Sequence, residues 1–417
     1  MPRFRKILKN RNFFLLWLGQ LISQVGDRLG QVALIGFVSM RPGSSPVEIA
    51  KILAFTMIPV FVIGPIAGVY VDRWDRRRTM YLSDFSRAIL VMLIPLFLFH
   101  VRSLFLVYFI VFLVFCIGRF FIPAKLVIVS DLVKENDLLL ANSLINITGM
   151  IAAIVGFGIS GIIVEKCKPR NGLYLDSLSF LVSAILIFFI SKKSGPMLGF
   201  KEMGREIVEI LKKSVLLELK EGALYFFRNK EIRFAAIVMF ILSAALGSVS
   251  VVLITFVQNT FNSVTRDLGL LSMFLGLGLF VGSLVYGRFG QRISHYKVIL
   301  VSFVLSGIII VGFSLGMQRT PNFALAAIFA LIMGASVSPV LIAINTIIHK
   351  VSDNGMMGKM FSSLEIVMHL GFLMFMFISS FLVKYFSHTI ILVFAGFIFI
   401  LLGVVNFVFH RRILWLD

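Results

Sequence analysis

Long apolar runs separated by short polar turns constrain the fold of this chain more than any other feature. Of its 417 residues, 59% are hydrophobic and 14% are charged, whereas soluble domains average about 45–50% apolar and about 25% charged residues. A helix of about 20 apolar residues is long enough to cross a bilayer, and strands of a membrane barrel need only about 9–11 residues. Because the backbone must be satisfied internally in lipid, runs of this length predict membrane-spanning helices.

Twelve apolar segments predict an all-α integral membrane protein with twelve transmembrane helices. The longest connection divides them six to six, so we expect an N-terminal six-helix bundle over residues 1–195, a linker over 196–230 and a C-terminal six-helix bundle over 231–417. Apolar residues at helical spacing predict that the linker is an amphipathic helix at the inner membrane surface. The segments lie at about 13–38, 49–71, 79–99, 104–129, 138–164, 172–191, 234–257, 267–287, 297–317, 323–347, 358–384 and 388–409.

The distribution of positive charge predicts the orientation of these segments. The chain has a net charge of +20, and Lys and Arg collect in the loops on the side of the N-terminus. Cytoplasmic loops carry such an excess, so both termini are expected inside the cell. The positive charge is then explained by the orientation of the helices and by binding to anionic lipids of the inner leaflet. No nucleic-acid partner is expected. Because Asp27 and Arg28 interrupt the first run, we interpret it as a retained helix, not a signal peptide.

The two halves of the chain resemble each other, which indicates an internal duplication. Gly64 and Gly68 end the second segment, and Gly278 and Gly282 take the same places in the eighth. Each pair precedes a basic turn. Repeats of this kind are typical of secondary transporters, in which the two halves move about a central site.

The stretch from Gly64 to Arg78, GPIAGVYVDRWDRRR, resembles the signature loop of the major facilitator superfamily, Gly-x-x-x-Asp-Arg-x-x-Arg-Arg. The stretches FFIPAKLVIVSDLV and ANSLINITGMIAAIVGFGISG are similar to its macrolide-efflux and enterobactin-exporter branch, the drug:proton antiporter-3 group. The resemblance covers nearly the whole chain. It implies the major facilitator fold and proton-coupled efflux of amphiphilic small molecules across the cell inner membrane, by a protein expected to be monomeric.

Two departures from the branch keep other functions open. Phe157 stands where its antiporter signature has proline, and Val114 stands about nine residues before Pro123, where relatives often carry a membrane arginine. The triplet Pro123-Ala124-Lys125 resembles lysophospholipid transporters, so transport of lysophospholipid or another lipid is the alternative function. A non-transporting membrane scaffold is a remote alternative.

The signature loop also predicts a conformational latch. In the second half Tyr286 takes the place of Asp72, so the basic turn is repeated and the acid is not. An acid at a helix end can dock on the positive N-terminal end of another helix, and the resemblance implies the eleventh segment as that helix. The alternative is that this basic loop only fixes the orientation of the helices and has no role as a latch. The latch residues are Gly64, Gly68, Asp72, Arg73, Arg76 and Arg77.

Polar residues of the first segment fall on one helical face. Gln20, Gln24, Asp27 and Gln31 are spaced by four, three and four residues. An ionisable group at mid-membrane costs about 2.5–3.5 kcal/mol, so it must face a cavity or have a partner. Asp27 is therefore predicted to couple protons, with Arg28 as its counter-ion. The alternative is a pair of structural charges that fix this helix to its neighbours.

Further polar residues are candidates for the transport route. Glu365 and His369, four residues apart in the eleventh segment, are placed to pass a proton, or else to form a gate or packing pair. Arg119 and Asn146 are predicted to line the central cavity with Gln20, Gln24 and Gln31, although Arg119 also fits a structural ion pair. Asp176 is a weaker candidate, expected at the outer vestibule.

The sequence contains no pattern for covalent or hydrolytic chemistry. We find no phosphate-binding Gly-x-x-x-x-Gly-Lys-Ser/Thr loop and no His-Glu-x-x-His pair. Cys116 and Cys167 suggest neither a disulfide nor a metal cluster. The chain is therefore not expected to be an enzyme or to need a cofactor, and its energy is expected from an ion gradient or from the gradient of the substrate.

Overall fold

A computed structural model describes residues 6–41, 45–71, 74–100, 104–191, 230–261, 263, 265–290, 293–351 and 357–410. Regular structure within these ranges is helical, with no strand. A 3-10 turn covers Glu135–Asp137. The helices are α1 (Arg11–Ser39), α2 (Pro46–Val71), α3 (Arg76–His100), α4 (Phe105–Leu132), α5 (Leu138–Phe188), α6 (Lys230–Phe261), α7 (Thr265–Phe289), α8 (His295–Arg319), α9 (Phe323–Val351), α10 (Met357–Leu382) and α11 (His388–His410).

The predicted helices and the observed ones agree closely, because apolar runs of this length have no other way to satisfy their backbone in lipid. Within the described ranges, nine helical stretches are long and apolar enough to cross a membrane. Helix α1 is not among them, since three glutamines, Asp27 and Arg28 interrupt its apolar run. The predicted linker helix falls on residues outside the described ranges, apart from Lys230.

Helix α5 holds the fifth and sixth predicted segments in one element of 51 residues. Lys168 breaks it, with a φ of 70°. The next residue is Pro169, and a proline disfavours the helical conformation of the residue before it. The break defines a first arm, residues 138–167, and a second arm, residues 169–188. The predicted gap of several residues is thus reduced to one non-helical residue.

Contacts with α1 show that the two arms run in opposite directions. Following α1 from start to end, the contacts ascend the first arm and descend the second. On the first arm, Gln24 lies at Gly149 and Arg28 at Gly156; on the second, Gly19 lies at Ser183 and Gly30 at Asp176. The first arm is also joined to α1 by Trp17, whose Nε1 donates to Thr148 Oγ1 at 2.8 Å.

The described residues divide into two compact units. The first holds those within Met1–Pro42 and Lys51–Leu217, and the second those within Gly43–Ala50 and Glu218–Asp417. In the first unit α1 packs on both arms of α5, and α3 packs on α4 and α5. In the second unit α7 packs on α9, α6 on α10, and α8 on α11. Each unit therefore buries its own helix pairs.

Glycines allow the closest helix approach in the second unit. A Cβ added at Gly282 of α7 would lie 2.5 Å from the carbonyl oxygen of Ala335 in α9, and one at Gly278 would overlap the carbonyl oxygen of Leu331. Small residues of this kind let backbones meet in membranes. In the first unit the counterpart of Gly278 makes no such approach to a described residue, since a Cβ at Gly64 would meet nothing within 4 Å.

Candidate functional site

A polar cavity of about 220 Å³ lies in the first unit between α1, α3 and α4. The whole predicted polar stripe of α1 is on its wall, because spacings of four, three and four keep these side chains on one face. Arg119 of α4 also lines it. The cavity is bordered by Gln20, Ser23, Gln24, Asp27, Arg28, Gln31, Arg87, Val114, Phe115, Gly118, Arg119, Phe121, Ile122 and Lys125.

Arg87 of α3 is the cation that two acidic residues share. Its guanidinium is buried and donates to Asp84, one turn earlier in the same helix. Its Nη1 lies 4.0 Å from Asp27 Oδ1 on α1. Asp84 is 0% exposed and accepts a hydrogen bond of 2.6 Å from Ser183 Oγ on the second arm of α5. One guanidinium thus connects α1 to α3, and Asp84 extends the network to α5.

Two aromatic rings lie against the Arg87 guanidinium. Its central carbon lies 4.2 Å from the ring centroid of Phe180 and 5.1 Å from that of Phe121. Such cation–π contacts contribute about 0.5–1 kcal/mol at exposed sites and about 2 kcal/mol or more when water is excluded. The guanidinium thus combines contacts to two rings with its contacts to two carboxylates.

Arg28 is directed away from the partner that the sequence predicts for it. Its Nη1 donates to Gln31 Oε1 at 3.1 Å, and its guanidinium carbon lies 5.0 Å from the ring centroid of Phe157 on the first arm of α5. Phe157 is the residue that replaces the proline of the antiporter signature. The described ion pair of Asp27 is with Arg87, so its counter-ion comes from another helix and not from its neighbour in the chain.

The sequence prediction omitted Asp84, Arg87 and Ser183. A signal for the first two was present, because two ionisable residues three apart lie inside the predicted segment 79–99, where each carries an insertion cost. Their partner on α1 could not be inferred, since it depends on how α3 packs against α1.

The remaining candidates are not among the residues that line this cavity. Asn146 is exposed on the first arm of α5 and does not line the described cavity. Glu365 is exposed on α10, and His369 Nδ1 lies 2.7 Å from the backbone carbonyl oxygen of Glu365. The described contact of His369 is thus with the main chain of Glu365, and proton transfer through this pair stays a prediction.

The basic turn between α2 and α3 makes its described contacts within the first unit. Arg76 Nη1 lies 2.7 Å from Asp131 Oδ2 at the end of α4, and Arg77 donates to the carbonyl oxygen of Phe188 at the end of α5. Gly64 and Gly68 lie in α2, whereas Asp72 and Arg73 lie outside the described residues. Two latch arginines therefore connect the start of α3 to α4 and α5.

A second cavity, of about 300 Å³, lies in the second unit and is almost wholly apolar. Two serines, Ser250 and Ser272, are its polar side chains. Its apolar wall is formed by Leu246, Val249, Leu253, Leu268, Leu271, Leu275, Ile309, Ile310, Phe313, Phe329, Ala330, Met333, Phe372 and Leu392. Over the part of the chain that the structure describes, no group of three or more His, Cys, Asp or Glu is placed to bind a metal ion.

Known proteins share this chain's sequence pattern and fold. Residues 6–411 match the model of a family described as transmembrane secretion effector. Macrolide efflux protein A of Streptococcus pyogenes is 24% identical over 78% of each chain. The putative bacilysin exporter BacE of Bacillus amyloliquefaciens is 28% identical over 86% of each chain. The uncharacterized MFS-type transporter YkuC of Bacillus subtilis (strain 168) is 27% identical over 85% of this chain and 81% of its own.

Solved structures of transporters have the same fold. A POT family transporter in complex with 5-aminolevulinic acid superposes with a TM-score of 0.75 at 15% identity, over 97% of both chains. The nucleoside transporter NupG superposes with a TM-score of 0.73 at 14% identity, over 94% of this chain and 97% of its own. Together with the family match over nearly the full length, these findings show that the chain belongs to the transmembrane secretion effector family of the major facilitator superfamily, and that it is a multi-pass membrane transporter, not an enzyme.

Proposed function

We propose that this transporter exports amphiphilic small molecules from the cytoplasm in exchange for protons. The chain would cross the cell inner membrane twelve times with both termini inside, and would act as a monomer. Two relatives are exporters by name, which supports the direction of transport. The observation that carries the proposal is the ion pair between Asp27 and Arg87 on the wall of a polar cavity.

Asp27 is suited to exchange protons because it is the accessible member of this cluster. Its side chain is 37% exposed and borders the cavity, whereas Asp84 is fully buried between Arg87 and Ser183. A proton on Asp27 removes its charge and leaves Arg87 to Asp84 alone. At 4.0 Å the contact between Asp27 and Arg87 is longer than a hydrogen bond, so the pair can open without loss of a direct bond.

The two cavities support an amphiphilic substrate. Glutamines, arginines and Lys125 in the first unit offer hydrogen bonds and charge to a polar group. The apolar cavity in the second unit offers contact area with few fixed polar partners. A mostly apolar pocket such as the one in the second unit holds ligands mainly by apolar contact, which permits variation in ligand structure.

Alternating access is proposed to follow from movement of residues 1–195 against residues 231–417. Asp72 is proposed to dock on the N-terminal end of α10 and so to hold one state closed at the inner side. Arg76 and Arg77 support this role, because their contacts with Asp131 and Phe188 fix the start of α3 next to the proposed latch.

Transport into proteoliposomes with an imposed pH difference tests the proposal. A panel of a cationic dye, a macrolide and a lysophospholipid separates the substrate classes. The Asp27→Asn variant is expected to bind the transported compound but to lose the dependence of its accumulation on the pH difference. Glu135→Gln, at an exposed site outside the cavity, is the matched control and should behave as the wild type.

Two outcomes would contradict this function. Wild-type accumulation by the Asp27→Asn variant would remove Asp27 from the coupling mechanism. Movement of lysophospholipid alone, without any effect of the pH difference, would instead support the lipid transporter that the Pro123-Ala124-Lys125 triplet suggests.

A further inference from the structure

Asp176 is a buried acidic residue that the proposed mechanism does not use. It lies on the second arm of α5 and is 5% exposed. Its Oδ1 is buried and has no hydrogen-bond partner. Two hydroxyls that follow it in the same helix are already engaged, because Ser177 Oγ donates to the carbonyl oxygen of Ala88 and Ser179 Oγ donates to that of Asp176, each at 2.7 Å.

The carboxyl group of Asp176 lies directly against the backbone of α1. A Cβ added at Gly26 would lie 3.1 Å from Asp176 Oδ1, and one at Gly30 would overlap Oδ2. Glycine at both positions therefore makes the space that the acid occupies. Gly26, which Asp176 contacts, is the residue before Asp27 in α1. Asp176 therefore packs on α1 directly next to the residue whose carboxylate borders the cavity.

The charged groups that α1 and α3 bring near Asp176 are committed elsewhere. On α1, Asp27 is an acid and Arg28 contacts Gln31 and Phe157. On α3, Arg87 is shared by Asp84 and Asp27. No salt bridge to Asp176 is found among the described residues. Arg87 thus has two acid partners, and no described cation lies within salt-bridge distance of the third acid, Asp176.

A carboxylate that is buried without a cation or a donor is far more costly than a neutral carboxylic acid. We infer that Asp176 carries a proton in this conformation and is a second proton-binding carboxyl group of the cluster formed by Asp27, Asp84 and Arg87. Its part in coupling rests on the proposed function. Asp27 borders the cavity and Asp176 does not.

Infrared spectroscopy of the full chain in phospholipid vesicles at pH 7 tests the protonation directly. A protonated carboxyl group gives a C=O stretching band that moves to lower frequency in D₂O. We expect this band in the wild type and its loss in Asp176→Asn. The matched control is Asp267→Asn, because Asp267 is 2% exposed but is paired with Arg266 at 3.0 Å; there the band should remain. A band that persists in Asp176→Asn, or is absent from the wild type, overturns the inference.

The part in coupling is tested by erythromycin accumulation as a function of the imposed pH difference. The slope of the logarithm of the accumulation ratio reports the number of protons exchanged, so Asp176→Asn should lower the slope about two-fold while Asp27→Asn removes it. An unchanged slope in Asp176→Asn overturns its part in coupling. A wild type without any dependence on the pH difference would be a failure of the proposed function, and the infrared band would still decide the protonation.

Discussion

Arg87 shows that the chemistry of this site depends on one side chain between two acids. Removing one partner of a buried ion pair leaves the other uncompensated, which costs about 3–5 kcal/mol. Arg87→Gln would leave Asp84 fully buried with Ser183 as its described donor. We therefore expect Arg87→Gln to lower the thermal unfolding midpoint in detergent and to abolish transport. Arg87→Lys keeps the charge, but a single ammonium group cannot reach both acids as the planar guanidinium does. We expect this variant to be more stable than Arg87→Gln and to transport poorly.

A double variant separates stability from transport. Asp84→Asn combined with Arg87→Gln removes both buried charges, so the unfolding midpoint should return toward that of the wild type. Transport should stay lost because Asp27 has no partner. If the double variant is as unstable as Arg87→Gln alone, Asp84 is not the group that Arg87 neutralises.

Sequence reasoning found the residues that face the cavity and not the residue that organises it. Gln20, Gln24, Asp27 and Gln31 were predictable because the helical period is a local property. Arg87 pairs with Asp27 only because α3 packs close enough to α1 for the Arg87 side chain to reach it. Which distant helices pack together cannot be read from the periodicity of either helix. Arg28 illustrates the same limit, since its guanidinium lies over Phe157 of α5.

At the scale of the helix, close approach between α7 and α9 gives a direct stability prediction. A methyl group at Gly282 would have to displace the backbone of Ala335, whereas one at Gly287 would meet nothing within 4 Å. Overpacking of this kind costs about 1–3 kcal/mol, and Ala for Gly in an open helix position gains about 0.5–1 kcal/mol. We expect Gly282→Ala to lower the unfolding midpoint and Gly287→Ala to raise it slightly. Equal midpoints would mean that α7 and α9 do not meet at Gly282.

Helix boundaries were predictable to the extent that hydropathy changes at them. The turn inside α5 is the exception, because the charged residues around it suggested a longer connection; they are Glu165, Lys166, Lys168 and Arg170. The helix continues through them since Pro169 forces a break at Lys168 alone. A 51-residue helix has a length of about 75 Å, and a bilayer core is about 30 Å thick, so α5 needs this reversal to fit a membrane.

At the scale of the molecule, the proposed topology makes the two cysteines distinguishable. The turn at Lys168 would face the outside of the cell, which places Cys167 there. Cys167 is exposed and Cys116 is buried. A membrane-impermeant maleimide added to intact cells is therefore expected to label the wild type at Cys167, and a Cys167→Ser variant should not be labelled.

An inward-facing reporter completes this test. Ser130 is exposed near the end of α4, on the side where Lys and Arg accumulate and where cytoplasmic loops are expected. Cys167→Ser combined with Ser130→Cys should react only after the membrane is permeabilised. Labelling of this variant in intact cells, together with protection of Cys167 in the wild type, would reverse the orientation. Protons that enter the cell would still drive substrate outward, because the two fluxes of an antiporter are opposite in either orientation, so the proposed direction of transport would stand and only the sidedness of the Cys167 turn and of Ser130 would change.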